Sequence, residues 1–390
     1  MENHEKLAHL SQKEIEEVVS MYQEGRIKIN EILERYNIDV KPGKLLQILP
    51  PEKTEKVCEM CGEYMYRQLA ARTSSFKNRN DYFCLKCGHK EFVNNKQENK
   101  VCNCEGCTTK RKMLYQSKRD RIRDVYGKEQ EKIKFQELEV EDQVKLIYIL
   151  LHNHNRNICV VAPMEERKTN IEYLNRLTEI NALTVSPDSS IDSFCTEKFP
   201  YIYYVTQVTY NVNVEFKLDE LDGINGRTYF IDNSSEEELI RLLKQFIYED
   251  LIGKFEEMLK ARRLELHISE KGKEKFIELI DKLSYTQILT LCYKVAVFFS
   301  DKVLIGNMNR KVAKNAALSN VSKFYDRAME SGWEIHHAEI ENVRKELEFY
   351  IVRVLNCNLQ ILKEVASVEN LKNWRDKEKD YNSPIGYAEK

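Results

Sequence analysis

Two pairs of cysteines have a spacing that suits metal binding. The first pair, Cys58 and Cys61, lies in "KVCEMCGEYM", and the second pair, Cys84 and Cys87, lies in "YFCLKCGHKE". A Cys-x-x-Cys-Gly turn brings two thiolates together, and its glycine accepts the tight backbone. Two such turns supply the four thiolates of a tetrahedral structural zinc site, which leaves no coordination position open for a substrate. We therefore predict one Zn²⁺ that stabilises the fold; two disulfides or a redox Cys-x-x-Cys pair are the alternatives.

Three further cysteines form a second candidate group. Cys102, Cys104 and Cys107 lie in "VCNCEGCTTK" and have no obvious fourth thiolate. His89, which follows the second Cys-x-x-Cys-Gly turn, is the nearest nitrogen ligand, and zinc accepts thiolates and imidazole together. A second Zn²⁺ held by the three cysteines with His89 or another residue is one interpretation. The alternatives are that these thiols extend the first module or remain reduced and structural.

The segment that carries the two cysteine pairs resembles a zinc ribbon, and the resemblance covers residues 57–92 only. It implies a small fold without a sizeable core, which unfolds when zinc is removed. Basic and aromatic residues are interleaved between the pairs, a composition that suits phosphate contact and base stacking; the alternative is that the aromatic side chains pack the ribbon and the arginines face water. The basic candidates are Arg67, Arg72, Lys77 and Arg79.

A strongly basic segment follows the cysteines. Residues 108–134 contain ten Lys and Arg residues against four Asp and Glu residues, and they are predicted to form a helix that is most basic in its first half. On its own, a charged run favours a solvated face, but a position directly after a metal-binding segment favours contact with nucleic-acid phosphates. The candidate contacts are Lys110, Arg111, Lys112 and Arg119.

Residues 1–50 are predicted to form three short helices. Ser11 and Glu14 have the spacing of a capping box, Gly25 ends the first helix, and Pro42 suits the first turn of the third. Three short helices with a glycine-bearing turn resemble the helix-turn-helix of DNA-binding proteins, particularly of resolvases and transposases. A small helical cap on the next domain is the alternative. The candidate DNA contacts are Lys41, Lys44 and Gln47.

Residues 136–232 resemble a winged-helix unit at the level of pattern. Two predicted helices are followed by a short strand from Leu183 to Val185, and residues 199–232 carry further β signal, including a predicted strand at their end. Winged helices bind DNA in many proteins and bind proteins in others, so the resemblance does not separate these two functions.

Residues 233–372 are predicted to be a helical domain, followed by a disordered tail, 373–390. A heptad repeat of apolar residues that begins at Ile340 predicts one helix over residues 338–372. That helix could be the centre of an intramolecular bundle, which we favour because Glu364 interrupts the apolar seam, or it could form a homodimer.

No Walker-type loop, dinucleotide fingerprint, HExxH motif or GxSxG motif is present in the sequence. The candidate for catalysis is Glu215-x-Lys217 on a predicted strand, with Asp188 and Asp192 upstream. Such groups at a strand end could hold Mg²⁺ and activate water, as in restriction-type nucleases. Glu and Lys alternating on the solvent face of a strand produce the same string. We therefore predict that the protein is not an enzyme, with a metal-dependent nuclease as an alternative.

The composition is that of a folded protein without a membrane segment. The chain has 390 residues, of which 32% are charged and 42% are apolar, and its formal net charge is −2. No apolar run approaches the roughly 20 residues that span a bilayer, and the polar N-terminus lacks the apolar core of a signal peptide. We expect a cytoplasmic protein in which nucleic-acid binding would rest on local patches of charge.

These patterns predict a mainly α fold with small β elements. The predicted segments are 1–50, 51–135, 136–232, 233–372 and 373–390. The predicted function is zinc-stabilised binding of nucleic acid, DNA in the first instance, through the N-terminal half, and no small-molecule substrate is indicated. This architecture resembles bacterial regulators and proteins of mobile elements or phage defence. The alternatives are an interaction protein with structural zinc and, second, the nuclease.

Overall fold

Helices dominate the structure, and the strands form three small sheets. The computed structural model describes residues 4–72, 81–93, 100–153, 158–217 and 229–381. Over these residues, the prediction of a mainly α fold with small β elements is confirmed. The chain divides into an N-terminal unit, Met1–Arg121, and a C-terminal unit, Ile122–Lys390, where the sequence predicts five segments.

Three short helices open the N-terminal unit. They are α1 (Gln12–Glu24), α2 (Ile29–Arg35) and α3 (Leu45–Ile48), with 3₁₀ turns at Glu5–Leu7 and Pro42–Lys44. The predicted capping box is present: the Ser11 N–H donates to the Glu14 carboxylate at 2.7 Å, and the Glu14 N–H donates to the Ser11 hydroxyl at 3.3 Å. The third helix is shorter than predicted, because it consists of one 3₁₀ turn and one α-helical turn.

The apolar residues at helical spacing in α1 and α2 form one buried cluster. Ile15, Val18 and Tyr22 of α1 belong to it together with Ile32 and Leu33 of α2. The helices therefore pack through the faces that the sequence pattern predicts. The three candidate DNA contacts of this segment are exposed: Lys41, Lys44 and Gln47.

Arg72, which follows the three helices in the chain, contacts the end of α1. Its guanidinium donates hydrogen bonds to the backbone carbonyls of Met21 (2.8 Å), Tyr22 (2.8 Å) and Ile27 (2.6 Å). It also lies 4.9 Å from the centre of the Tyr22 ring. Tyr22 lies in the last turn of α1, where carbonyls lack intrahelical partners. The Met21 carbonyl also accepts from the Gly25 N–H, and Ile27 follows the helix. The fold therefore uses donors of Arg72, and its contact with nucleic acid stays a prediction.

Four short strands form an antiparallel sheet in the order β1-β2-β3-β4. They are β1 (Glu52–Val57), β2 (Tyr64–Arg67), β3 (Tyr82–Phe83) and β4 (Lys90–Glu91). The turn from β1 to β2 carries the first cysteine pair, and the turn from β3 to β4 carries the second. Since both turns leave the same end of the sheet, the pairing of β2 with β3 brings the two cysteine pairs together. The helix α4 (Glu105–Tyr126) follows, and the boundary between the two units falls within it.

The C-terminal unit begins with two small sheets. Its first elements are β5 (Ile133–Lys134), α5 (Val140–Leu151), β6 (Val160–Val161), α6 (Lys168–Glu179), β7 (Leu183–Val185), β8 (Tyr210–Val212) and β9 (Val214–Glu215), with 3₁₀ turns at Phe135–Glu137 and Ile191–Ser193. One sheet has the antiparallel order β6-β8-β7, and the other pairs β5 with β9 in parallel. The predicted strand at Leu183–Val185 is confirmed.

In the described part of residues 199–232, the strands are β8 and β9. Before β8 the chain makes turns, in which the Tyr201 N–H donates to the Lys198 carbonyl and the Val208 N–H donates to the Tyr204 carbonyl. These bonds use backbone groups that a strand would pair with its neighbour. The predicted strand at the end of the segment is wrong, since Tyr229–Asn233 is helical.

The rest of the C-terminal unit is a helical bundle around one apolar cluster. Its helices are α7 (Tyr229–Asn233), α8 (Glu236–Lys260), α9 (Glu270–Ile280), α10 (Tyr285–Leu304), α11 (Arg310–Ser331), α12 (Lys345–Phe349) and α13 (Val368–Tyr381). The fully buried carboxylate of Asp250 in α8 links three of its parts. It accepts hydrogen bonds from the Tyr285 hydroxyl at 2.6 Å and from the Arg344 backbone N–H at 2.8 Å.

The predicted helix over residues 338–372 is not continuous. After α12, the chain forms a π turn at Tyr350–Val354 and a 3₁₀ turn at Leu359–Lys363, and Asn356 between them has a φ of +53°. The heptad residues Leu347, Val354 and Ile361 are buried in the bundle, which a chain can achieve without one straight helix. The homodimer through this segment stays a prediction.

The segment predicted to be a disordered tail is helical as far as Tyr381. Residues 382–390 of that segment lie outside the described residues. Within the described ranges, no helix combines the length and the apolar character needed to cross a membrane.

We expect Arg72→Lys to destabilise the N-terminal unit. Lysine keeps the charge but cannot reach three carbonyls with a planar fork, so the free energy of unfolding should fall by about 1–3 kcal/mol. Arg26→Lys is the matched control, because the Arg26 side chain is 86% exposed. Denaturant unfolding and amide exchange at the end of α1 measure the effect. Equal stability of the two variants would contradict it.

Candidate metal centres and the adjoining basic surface

The four cysteines of the two pairs meet in space. Their sulfur atoms all lie within 4.8 Å of one another. Cys58 Sγ is 3.6 Å from Cys87 Sγ, and Cys61 Sγ is 3.4 Å from Cys84 Sγ. In a tetrahedral site with metal–sulfur distances of about 2.3 Å, sulfur atoms stand about 3.8 Å apart. The first ligand group, Cys58, Cys61, Cys84 and Cys87, could therefore hold one metal ion.

The two turns that present these thiols have the same backbone geometry. In the first, the Cys58 N–H donates to the Glu63 carbonyl, and the Gly62 N–H donates to the Cys58 carbonyl. In the second, the Cys84 N–H donates to the His89 carbonyl, and the Gly88 N–H donates to the Cys84 carbonyl. Gly62 has a φ of +75°, and its counterpart in the second turn has +68°, a conformation that residues with a Cβ rarely adopt. The glycine of each Cys-x-x-Cys-Gly motif is thus required by the turn.

The second candidate group is also assembled. His89, Cys102, Cys104 and Cys107 place their ligand atoms within 4.8 Å of one another. His89 Nδ1 is 3.1 Å from Cys107 Sγ and 3.8 Å from Cys104 Sγ, and the imidazole is 6% exposed. The structure therefore brings His89 to the three cysteines, as the second-site interpretation requires, and this group could also hold one metal ion. Cys107 lies in the first turn of α4, so the group connects the second cysteine turn to the start of that helix.

The thiols of the first group differ in how easily they ionise. Burial opposes ionisation of Cys84, but hydrogen bonds from the Cys87 N–H, the Cys61 thiol and the Lys86 N–H outweigh it and lower the pKa of Cys84 to about 7. Burial raises the pKa of Cys87 to about 12, and the neighbouring thiols add to the rise. One thiol of the group therefore ionises readily, while another is held protonated.

The second group shows the same division. Burial opposes ionisation of Cys102, but hydrogen bonds from the backbone N–H groups of Cys104 and Lys90 lead the effects that lower the pKa of Cys102 to about 6. Burial raises the pKa of Cys107 to about 12, and the adjacent cysteines raise it further. A divalent cation would remove the repulsion between thiolates and let all of them ionise together. Four ligands in each group would fill a tetrahedral coordination shell.

Hydrogen bonds and close packing fix α4 beside these groups. The Arg111 guanidinium donates to the Cys102 carbonyl at 2.7 Å and to Asn103 Oδ1 at 3.2 Å. A Cβ added at Gly106 would come within 3.1 Å of the Met60 sulfur atom, so glycine permits the helix to approach the first cysteine turn. Arg111, predicted as a nucleic-acid contact, helps instead to hold the second ligand group.

The other predicted basic contacts have different environments. Arg67 is 19% exposed and forms an ion pair with Glu52 at 2.9 Å, so its charge is neutralised within the sheet. Arg119 is half-buried, whereas Lys110 and Lys112 are exposed on α4. Lys77 and Arg79 lie outside the described residues.

Large apolar side chains adjoin the exposed lysines of α4. Met113, Leu114 and Tyr115 are 67%, 60% and 60% exposed. The sequence prediction missed them, and it also missed the aromatic Phe83 on β3. The signal that could have found Met113, Leu114 and Tyr115 is their position as large apolar residues in a predicted helix that is otherwise polar.

The groups of the nuclease hypothesis are not assembled in the described chain. Glu215 is exposed on β9, and the Lys217 ammonium donates to Gln136 Oε1 at 3.2 Å. Asp188, Asp192 and Glu215 do not form a group of three potential metal ligands among the described residues. No observation of these side chains supports metal-dependent hydrolysis, and the hypothesis stays a prediction.

No protein-family model, curated protein or solved structure matches this chain.

We expect two metal ions per chain, and His89→Ala should reduce that number to one. Removal of the imidazole leaves three thiolates in the second group, which the thiolate of His89→Cys would restore to four. Cys159→Ser is the control, since Cys159 is exposed and belongs to neither group. Elemental analysis and native mass spectrometry count the ions. Two ions in His89→Ala would show that His89 is not a required ligand, and one ion in the wild-type protein would show that the second group is not a metal site.

Proposed function

We propose that this protein binds nucleic acid, DNA in the first instance, through its N-terminal unit, and that two structural Zn²⁺ ions hold the binding surface in place. The observation that carries the proposal is the first half of α4, which starts at the second ligand group and presents exposed positive charge. Lys110 and Lys112 are exposed. Neither has an ion-pair partner among the residues that the structure describes. Between Gly106 and Arg119 the helix has no acidic residue.

The ligand sets support zinc as the metal. Four cysteines, or three cysteines and a histidine, are the sets that structural zinc sites use, and thiolate and imidazole ligands suit Zn²⁺ better than Mg²⁺ or Ca²⁺. Because their coordination shells would be filled, such ions would stabilise the surface. Side chains, and not the ions, would contact the partner.

An open groove next to α4 offers a path for a phosphate backbone. Its polar lining consists of Lys86, Lys110, Thr109 and the carboxylate Glu105, and Met60 and Met113 provide its apolar part. Lysine ammonium groups attract phosphates without demanding one geometry, and the threonine hydroxyl can donate to a phosphate oxygen. Lys86 already pairs with Glu63 at 2.9 Å, so Lys110 is the stronger candidate for direct phosphate contact.

The chain as a whole does not attract polyanions, because its formal net charge is −2. Binding would therefore depend on the local charge of α4, and it would weaken steeply as salt screens and replaces those contacts. The interaction-protein alternative is favoured by one observation, the exposure of Met113, Leu114 and Tyr115 on the same helix, since exposed apolar side chains also mark protein interfaces.

A salt titration with paired variants tests the proposed function. Lys110→Ala/Lys112→Ala should weaken binding to a duplex of about 20 base pairs and reduce the salt slope by about 2, because each lost phosphate contact removes about 0.9 from it. Lys271→Ala/Lys275→Ala removes the same charge from exposed positions of α9 and should bind like the wild-type protein. Fluorescence anisotropy at several salt concentrations measures both.

Two outcomes of the titration would contradict the proposed function. Absence of DNA binding by the zinc-loaded wild-type protein would contradict it, as would equal affinity and equal salt slope in the two paired variants. Two bound ions in each variant establish that the N-terminal unit is intact.

A further inference from the structure

One face of the four-stranded sheet carries a row of aromatic rings. In the strand register, Tyr66 lies opposite Lys53 on β1 and opposite Phe83 on β3, and Phe83 lies opposite Lys90 on β4. Residues that pair directly across antiparallel strands share a face, and so do residues two apart on one strand. Tyr64 therefore joins the others on this aromatic face, which consists of Tyr64, Tyr66, Phe83, Lys53 and Lys90.

The other face of the sheet uses its side chains to hold the fold. Met65 is fully buried with the cysteine sulfur atoms, and Tyr82 packs against them. The charged residues of that face neutralise one another: Arg67 pairs with Glu52, and Lys56 pairs with Glu91. The packing of the sheet is thus explained by this face, and the side chains of the aromatic face are not needed for it.

The rings of the aromatic face are not part of a described core. Tyr64 is 48% exposed, and Tyr66 and Phe83 are half-buried. Among the described residues, none of the three packs against the apolar clusters of the chain. The centres of the Tyr66 and Phe83 rings are 6.5 Å apart, with 35° between their planes. Adjacent, tilted rings on an open strand pair are a platform on which flat, unpaired rings can stack.

Positive charge borders these rings. The Lys53 ammonium lies 4.0 Å from the centre of the Tyr64 ring, and Lys90, opposite Phe83, is exposed. Among the described residues, Glu55 in the bulge of β1 is the one carboxylate of the four-stranded sheet without an ion pair. The face thus has a small excess of positive charge, which favours a polyanion. Its aromatic rings supply the larger share of the surface that a partner would contact.

We infer that the aromatic face binds unpaired bases of single-stranded nucleic acid, with Tyr64, Tyr66 and Phe83 as stacking residues and Lys53 and Lys90 as phosphate contacts. The inference rests on the proposed function. It adds that this second surface binds nucleic acid in single-stranded form. A duplex buries the flat faces of its bases in its own stack, so rings on a sheet can reach them only where the strands are separated. A protein partner at the same face is the competing outcome of the test.

The test compares single-stranded and duplex DNA on the full-length, zinc-loaded protein. Tyr64→Ala/Tyr66→Ala should weaken binding of a labelled oligothymidylate of about 12 nucleotides at least about 20-fold, since each stacked base contributes roughly 5- to 150-fold. Tyr64→Phe/Tyr66→Phe keeps the rings and should bind within about 3-fold of the wild-type protein. Tyr201→Ala/Tyr204→Ala, two exposed tyrosines of the C-terminal unit, is the matched control and should change nothing.

The two surfaces can be distinguished by their separate responses. The tyrosine variant should leave duplex affinity unchanged, whereas Lys110→Ala/Lys112→Ala should weaken it. The inference would be overturned, and the proposed function retained, by one combination of results. Duplex binding would depend on those lysines, while single-strand binding would not depend on the tyrosines. Absence of binding to either form would overturn both.

A second variant covers the case in which the tyrosine variant loses its metal ions. Lys53→Ala/Lys90→Ala changes only exposed side chains and should lower the salt slope for the single strand by about 1.4, at about 0.7 for each contact. An unchanged slope would count against the inference, and it would favour a protein partner for the aromatic face.

Discussion

The convergence of seven cysteine sulfur atoms and one imidazole is the interaction on which the sheet of the N-terminal unit depends. In the described part of that sheet, the buried apolar cluster consists of Cys58, Met65 and Cys84, and two of these three are ligands. Apolar burial of this extent cannot offset the conformational entropy lost when four strands and two turns become ordered. Bonds from a cation to thiolates release on the order of 10–16 kcal/mol in small zinc peptides. Folding of the sheet and occupancy of the two ligand groups by metal would therefore be one equilibrium.

The same ligands determine where the exposed charge of α4 stands. Cys107 lies in the first turn of the helix, and Arg111, one turn later, donates to the Cys102 carbonyl. These contacts hold the N-terminal end of α4 beside the second ligand group, and they are the contacts that the metal would tighten. A basic helix attached only by a flexible linker would meet phosphates in many orientations, and its binding would lose the entropy of fixing one of them. In the proposed function, metal coordination would aid recognition by preorganising charged side chains.

The features that the sequence predicted correctly are those determined within a few residues. The Cys-x-x-Cys-Gly turns, the capping box at Ser11 and the strand β7 depend on local spacing and local backbone preference. Features that depend on distant partners were not predictable in this way. Arg72 finds its carbonyl acceptors about fifty residues earlier in the chain, and the register that places Phe83 beside Tyr66 arises from strand pairing. The heptad pattern after Ile340 identified buried positions correctly, but apolar spacing does not specify an unbroken backbone.

The second cysteine turn serves both ligand groups at once. Cys84 and Cys87 belong to the first group, His89 belongs to the second, and the Cys84 N–H donates to the His89 carbonyl at 2.8 Å. An ion in the first group would order this turn and place His89, so the second ion would meet a ligand whose entropy had already been lost. By thermodynamic reciprocity, the second ion would strengthen retention of the first by the same factor. The two sites would therefore fill as a cooperative pair, over a narrower range of metal concentration than two independent sites.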